Sequence, residues 1–479
     1  MASKKTLNAK NLEALGAKRL SELLIELSTG DAAAKRFLRL ELAGELSPVE
    51  VGREVTKRLN AISRATTFIH WQNRKPLVDD LNTQLNAITK KIAPNDPVEA
   101  ERLLWRFLGI AESVHDRSDD SSGIISGIFG DACDALGQVA LEAKSDPEDL
   151  AEQVFQAIQK NGYGQVDGII ETLAPALGDV GLNSLKAKVE RLAREPVEVP
   201  PKDEWEVVAW GSNGKTYAHE MWERSRESTV KLAMKNIADA QGDVDAFISQ
   251  YDAKTRRVPA IAADIGARLL AAGRAEDALG FIERAETSGR GWVPPKWHDV
   301  RINTLEVLGR SYDAQILRWQ RFEQELDEDS LKAYIKKLPD FDDIDAEERA
   351  LEFASNHPSL LIALSFLTRW PALDQAAAMV EQRARELDGN FYEILSPSAE
   401  RLEEKHPLAA MLILRAMIDF TLINARPKRY GHAARHLKTC DALAEQITSY
   451  GAHISHQTYM KEIKAKHGRK SGFWGKYEG

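Results

Sequence analysis

"LLAAGRAEDALGFIERAE" (269–286) and "LEVLGRSYDAQILRWQRFE" (305–323) are two renderings of one phrase. In each, an apolar run ends at a glycine, Gly273 or Gly309, and an alanine, Ala278 or Ala314, follows five residues later. The two copies lie 36 residues apart. A glycine just past an apolar run ends a helix in the left-handed conformation that other residues resist. The small alanine then lets a second helix lie close against the first. A period of this length, carried by one helix pair per copy, is the signature of a repeat array, because a single pair cannot bury its own apolar face.

The spacing and period resemble tetratricopeptide repeats in a degenerate form, since the consensus tryptophan and proline positions are not regularly filled. Four further stretches continue the pattern loosely: "NHPSLLIALSFLTRW", "PALDQAAAMVEQRAREL", "HPLAAMLILRAMIDFTLI" and "KRYGHAARHLKTCDALAEQI". The expected fold is all-α, with a tetratricopeptide-like α-solenoid over 217–479 that ends in a basic tail.

Upstream, three segments share a start signal. Ser47-Pro48 with Glu50, Asp96-Pro97 with Glu99, and Asp146-Pro147 with Asp149 each place an N-cap oxygen, a proline needing no donor, and an acid at the positive end of the helix. Glu50 and Glu99 also have the spacing for the reciprocal capping bond. Glycine-bearing turns at 28–31 and 177–181 separate successive helices, so 1–195 reads as a HEAT-like helical domain. The stretch "PVEVPPKDEWEVVAWGSNGKT" (196–216) is rich in breakers and reads as the linker between the two domains.

Composition bounds the function. A 43% hydrophobic chain of 479 residues buries a core. Cys133 and Cys440 are too few for a disulfide framework or a cysteine-rich zinc module. The opening "MASKKTLNAKNLEALG" lacks the apolar region of a secretory signal, and the runs at 360–367 and 408–414 fall short of the ~20 residues a bilayer needs. The expectation is a cytoplasmic protein with no membrane contact. The net charge of −9 is uneven: residues 421–479 carry 11 basic against 4 acidic residues, a net of +7 on a body of −16.

Five places carry groups able to do chemistry. In "YGHAARHLKTC" (430–440), His432 and His436 share a helix face beside Tyr430. Cys440 lies ~12 Å along the axis from His432, too far to join one metal. Residue 433 is alanine where a zinc peptidase helix carries its glutamate, so these histidines read as packing residues, with a metal or catalytic role as the alternative. "AWGSNGKT" (209–216) echoes a phosphate loop, but a P-loop needs a parallel sheet behind it, and no second strand ending in aspartate is found. The acidic stretches at 115–123 and 338–351 read as turns and helix caps, the second lacking the glycine and distal glutamate of a calcium loop. Arg415 and Asp419 interrupt the most apolar helix at i, i+4 and read as an ion pair, with a ligand-anchoring arginine as the alternative. Arg469, Lys470 and Trp474 belong to a tail that either docks on the body or contacts phosphates.

The stretches "LKAYIKKLPDFDDIDAEERAL", "KRYGHAARHL" and "HGRKSGFW", with the opening "LEALGAKRLSELLIELSTGDAAAKRFLRLELA", resemble an uncharacterised bacterial family of long helical proteins. The C-terminal repeats are also similar to the helical region of bacterial SWIM zinc-finger proteins, without the paired ligands of the finger itself. The resemblance implies the fold and leaves function open. The resulting expectation is a non-enzymatic scaffold or adaptor with no catalytic residues, cofactor or metal, holding a protein or peptide in a solenoid groove. The alternative is a nucleic-acid accessory role for 421–479.

Overall fold

The computed structural model describes all residues except 1–5, 197–198, 202–204, 212–213 and 288–292. The described residues form 25 α-helices and a single two-stranded hairpin, an all-α architecture. The chain divides into two compact units, 1–261 with 271–273, and 262–270 with 274–479.

In the first unit, alternate helices pack in succession: Pro48–Ser63 on Pro97–Leu108, that helix on Ile124–Ala143, and that on Ile169–Arg194. The proline-led starts are capped as their sequence dictates. Ser47 Oγ accepts from the Glu50 N–H at 3.3 Å, Asp96 Oδ1 from Glu99 at 3.0 Å, and Asp146 Oδ1 from Glu148 and Asp149 at 2.9 and 3.1 Å. The reciprocal bonds expected of Glu50 and Glu99 are replaced by ion pairs to Arg53 and Arg102, one turn further on. The turn expected at 177–181 is a kink inside Ile169–Arg194, where Gly178 adopts φ 52° and ψ −170°. Ile124–Ala143 is long and apolar enough to cross a membrane. Here it is a core helix, burying Ile125, Phe129, Cys133 and Leu136 between its neighbours.

The segment 196–216 is more than a linker. Val207–Gly211 and Gly214–Tyr217 pair antiparallel, Trp210 opposite Lys215, with the Lys215 ammonium 5.0 Å from the Trp210 ring centre. Ser212 and Asn213 lie outside the described residues. An antiparallel ribbon is not the parallel sheet of a phosphate loop, and it holds Lys215 and Thr216 in a strand and not in the first turn of a helix, so that reading of 209–216 is set aside. The helix after the hairpin, Ala218–Ala240, packs on Ile169–Arg194 and buries Ala233 and Ile237 in the first unit's core. The boundary between compact units therefore falls at Pro259–Ala271 and not at 196–216.

In the second unit, packing runs between neighbours in sequence, Ala275–Glu283 on Pro295–Val307, that on Ser311–Glu325, and onward through Pro407–Ile423 and Tyr430–Ala444. The quoted phrases fold alike. Gly273 and Gly309 adopt φ 74° and 73°. After each, the arginine N–H closes the helix end, Arg274 to Leu269 O and Arg310 to Leu305 O, both at 2.8 Å. Each arginine then reaches the acid three residues on, Asp277 at 2.9 Å and Asp313 at 2.8 Å. Ala278 and Ala314 are fully buried.

Candidate binding groove

Pro407–Ile423 is buried on nearly every side, from Ala409 to Leu422. Charges on such a helix require an explanation, because burying an uncompensated ion costs several kcal/mol (on the order of 3–5 when a partner is missing). Arg415 is 5% exposed. Its Nη1 donates to the Ile454 carbonyl at 2.9 Å, and its Nη2 lies 3.5 Å from His456 Nδ1. The guanidinium sits 4.5 Å from the centre of the Tyr459 ring, while its buried Nε finds no acceptor.

The expected ion pair with Asp419 is not formed: Asp419 instead accepts from the Tyr459 hydroxyl at 2.8 Å. Burial depresses the Arg415 pKa and raises that of Asp419, so neither charge is fully compensated by the other. Tyr459, raised by its own burial, stays a hydroxyl donor.

Behind this pair runs a chain of hydrogen bonds that connects four helices. His456 Nε2 meets Asp441 Oδ1 at 2.7 Å, and the Tyr477 hydroxyl donates to Asp441 Oδ2 at 2.8 Å. Burial, aided by Asp441, pushes the Tyr477 phenol up to about 12. His456, Tyr459, Asp441 and Tyr477 were missed in the sequence. The signal available was the i, i+3 placement of His456 and Tyr459 after Ser455, whose side chain caps their helix.

Arg415 and Asp419 face a groove of about 610 Å³, whose other lining includes Leu412, Phe420, Ile423 and the 384–389 segment. That segment approaches closely because residue 389 is glycine. A Cβ there would lie 2.0 Å from the Ala416 carbonyl oxygen and 2.8 Å from Phe420 Cβ.

The remaining candidates do not converge on this groove. His432 is exposed and its Nδ1 lies 2.9 Å from Arg435 Nη2. His436 is half-buried, and desolvation brings its pKa down to about 4. Tyr430 is buried edge-on to Phe473, their ring centres 6.1 Å apart. Cys440 is fully buried, its thiol pushed up to about 12. Among the described residues no three His, Cys, Asp or Glu side chains are grouped to hold a metal.

In the tail, Arg469 is exposed and Lys470 half-buried, while Trp474 is buried and donates its Nε1–H to His467 O at 3.0 Å. Ser471–Glu478 packs on Tyr430–Ala444. The acidic stretches act as caps: Asp120 accepts from the N–H groups of Ile125 and Ser126 at 2.9 and 2.8 Å, and Asp342, Asp343 and Asp345 fill the first turn of Asp342–Ser355.

No curated protein matches the sequence. Among solved structures, it is similar to a circular tandem repeat protein with novel repeat topology and enhanced subunit contact surfaces, at 11% identity and a TM-score of 0.21, over 98% of this chain and 90% of that one. The match that identifies the chain spans residues 2–476: it belongs to a family of unknown function, DUF6880.

Proposed function

We propose that this chain is a non-enzymatic helical-repeat adaptor that takes a segment of another protein in the groove over Arg415. The observation that carries the reading is the state of Arg415. It is a buried cation with one main-chain acceptor, one long contact to an imidazole and an unpartnered Nε, at the wall of a groove lined by both apolar and charged residues. A segment that lays apolar side chains on Leu412, Phe420 and Ile423, and brings a hydrogen-bonding acceptor toward Arg415, would complete what the fold leaves open. The glycine–alanine turns at Gly273 and Gly309 and the alternating helices of the first unit support tetratricopeptide-like and HEAT-like arrays, which bind through such concave faces.

The nucleic-acid reading of 421–479 has less support. Phe473 and Trp474, the rings that would stack on bases, are buried.

Peptide-display selection against the immobilised full chain tests the proposal. Sequences enriched on the wild type should be lost on Ile423→Glu, which charges an exposed groove residue, and on Arg415→Met. Enrichment that ignores both substitutions would place binding elsewhere.

A further inference from the structure

The helix Gly16–Ser28 carries leucines at 20, 23, 24 and 27, an apolar stripe about 100° wide. An amphipathic helix this short holds its shape only when such a stripe is covered. Among the described residues the cover is partial: Leu20 and Leu23 are half-buried, but Leu24 remains 47% and Leu27 74% exposed. The helix buries only Ser28.

We infer that the second half of this packing comes from another copy of the same chain, lying antiparallel along the leucine stripe. The charge pattern argues for that occupant. Arg19 and Glu26 stand seven residues apart on one flank of the stripe, two turns of helix, and both are exposed. In the antiparallel register that layers Leu20 over Leu23 of the second copy, Arg19 meets Glu26 of that copy. The twofold axis repeats the pair at the other end. The same register sets Leu24 against Ala17 and Leu27 against Gly16, a large side chain opposite a small residue at each place. The opposite charges at the two ends of one flank thus make the surface complementary to itself. A bilayer surface would have no use for the glutamate. The intrachain partner of Arg19, Glu22 at 3.1 Å, forms an exposed pair of little strength that the new contact can replace.

Light scattering coupled to size exclusion, run on the full chain across a range of concentrations, tests the inference. The wild type should reach nearly twice the 53.4 kDa chain mass, and Leu27→Lys should remain at the single mass. Arg19→Glu and Glu26→Arg should each weaken the dimer about tenfold, by turning two attractive pairs into repulsive ones. The combined charge exchange should restore it. Because these residues are exposed, unchanged circular dichroism is expected for every variant. A wild type that stays single at all concentrations overturns the inference, as does a dimer indifferent to Leu27→Lys or a double exchange that fails to restore. Capture of the single-mass wild type by anionic phospholipid vesicles would assign the stripe to a membrane surface instead.

Discussion

Two glycines in the second unit should respond to the same substitution with opposite sign. Gly389 sits where a Cβ would fall 2.0 Å from the Ala416 carbonyl oxygen, a main-chain atom that cannot swing aside. Relief requires the 384–389 segment to lift from Pro407–Ile423 by roughly an ångström, opening the groove wall. Overpacking against a well-ordered neighbour costs about 1–3 kcal/mol, and a backbone obstacle belongs at the upper end. Gly431 lies in the first turn of Tyr430–Ala444 with nothing within 4 Å of its Cβ position. Alanine there gains about 0.5 kcal/mol of helix propensity, the low end of the range for a helix interior. With a urea slope of roughly 2–3 kcal/mol/M for a unit of this size, Gly389→Ala should lower the unfolding midpoint by about 1 M, and Gly431→Ala should raise it by about 0.2 M. Circular dichroism in urea reads both. A Gly389→Ala protein as stable as the wild type would refute the packing that forms the groove.

Stability should fall with acidification through a window set by His436. Its folded pKa of about 4 lies below the ordinary imidazole value because burial penalises the charged form. The unfolded chain therefore binds an extra proton between about pH 6.5 and 4, and stability drops as pH falls across that range. His436→Leu should flatten this part of the profile, and the imidazole resonance of the wild type should titrate near 4 in proton NMR. The two thiols should be inert in the native protein, since burial lifts Cys133 to about 11 and Cys440 to about 12. A chromogenic disulfide reagent should find none at neutral pH and two in denaturant; a fast native reaction would contradict the burial of both.

The fold was legible where local chemistry decides it. Glycines at helix ends, cap residues before prolines and apolar spacing act within a few residues of themselves, and Gly273, Gly309, Ser47, Asp96 and Asp146 do in the structure what their surroundings require. The groove was only half legible. Arg415 and Asp419 stood out as charges in an apolar run, but their partners come from residues 40 positions away. Spacing along one helix suggested that they pair with each other. Tyr459, placed between them by a later helix, takes the Asp419 hydrogen bond and faces the Arg415 guanidinium. The unit boundary was misplaced for a related reason. Prolines and glycines at 196–216 mark a break in helix, whereas membership of a core is settled by Ala233 and Ile237, whose partners lie in another helix.

Asp441 has a consequence for when the groove exists. One carboxylate accepts from both His456 and Tyr477, and the carbonyl that holds Arg415 belongs to Ile454. During synthesis, a nascent polypeptide that has emerged only to residue 450 already owns the groove's long apolar helix and Asp441 but lacks Ile454, His456 and Tyr477. Its arginine would still be hydrated and free to wander. Recognition is thereby deferred until translation has passed the final third of the second unit, so unfinished chains should not compete with finished ones for whatever the groove holds.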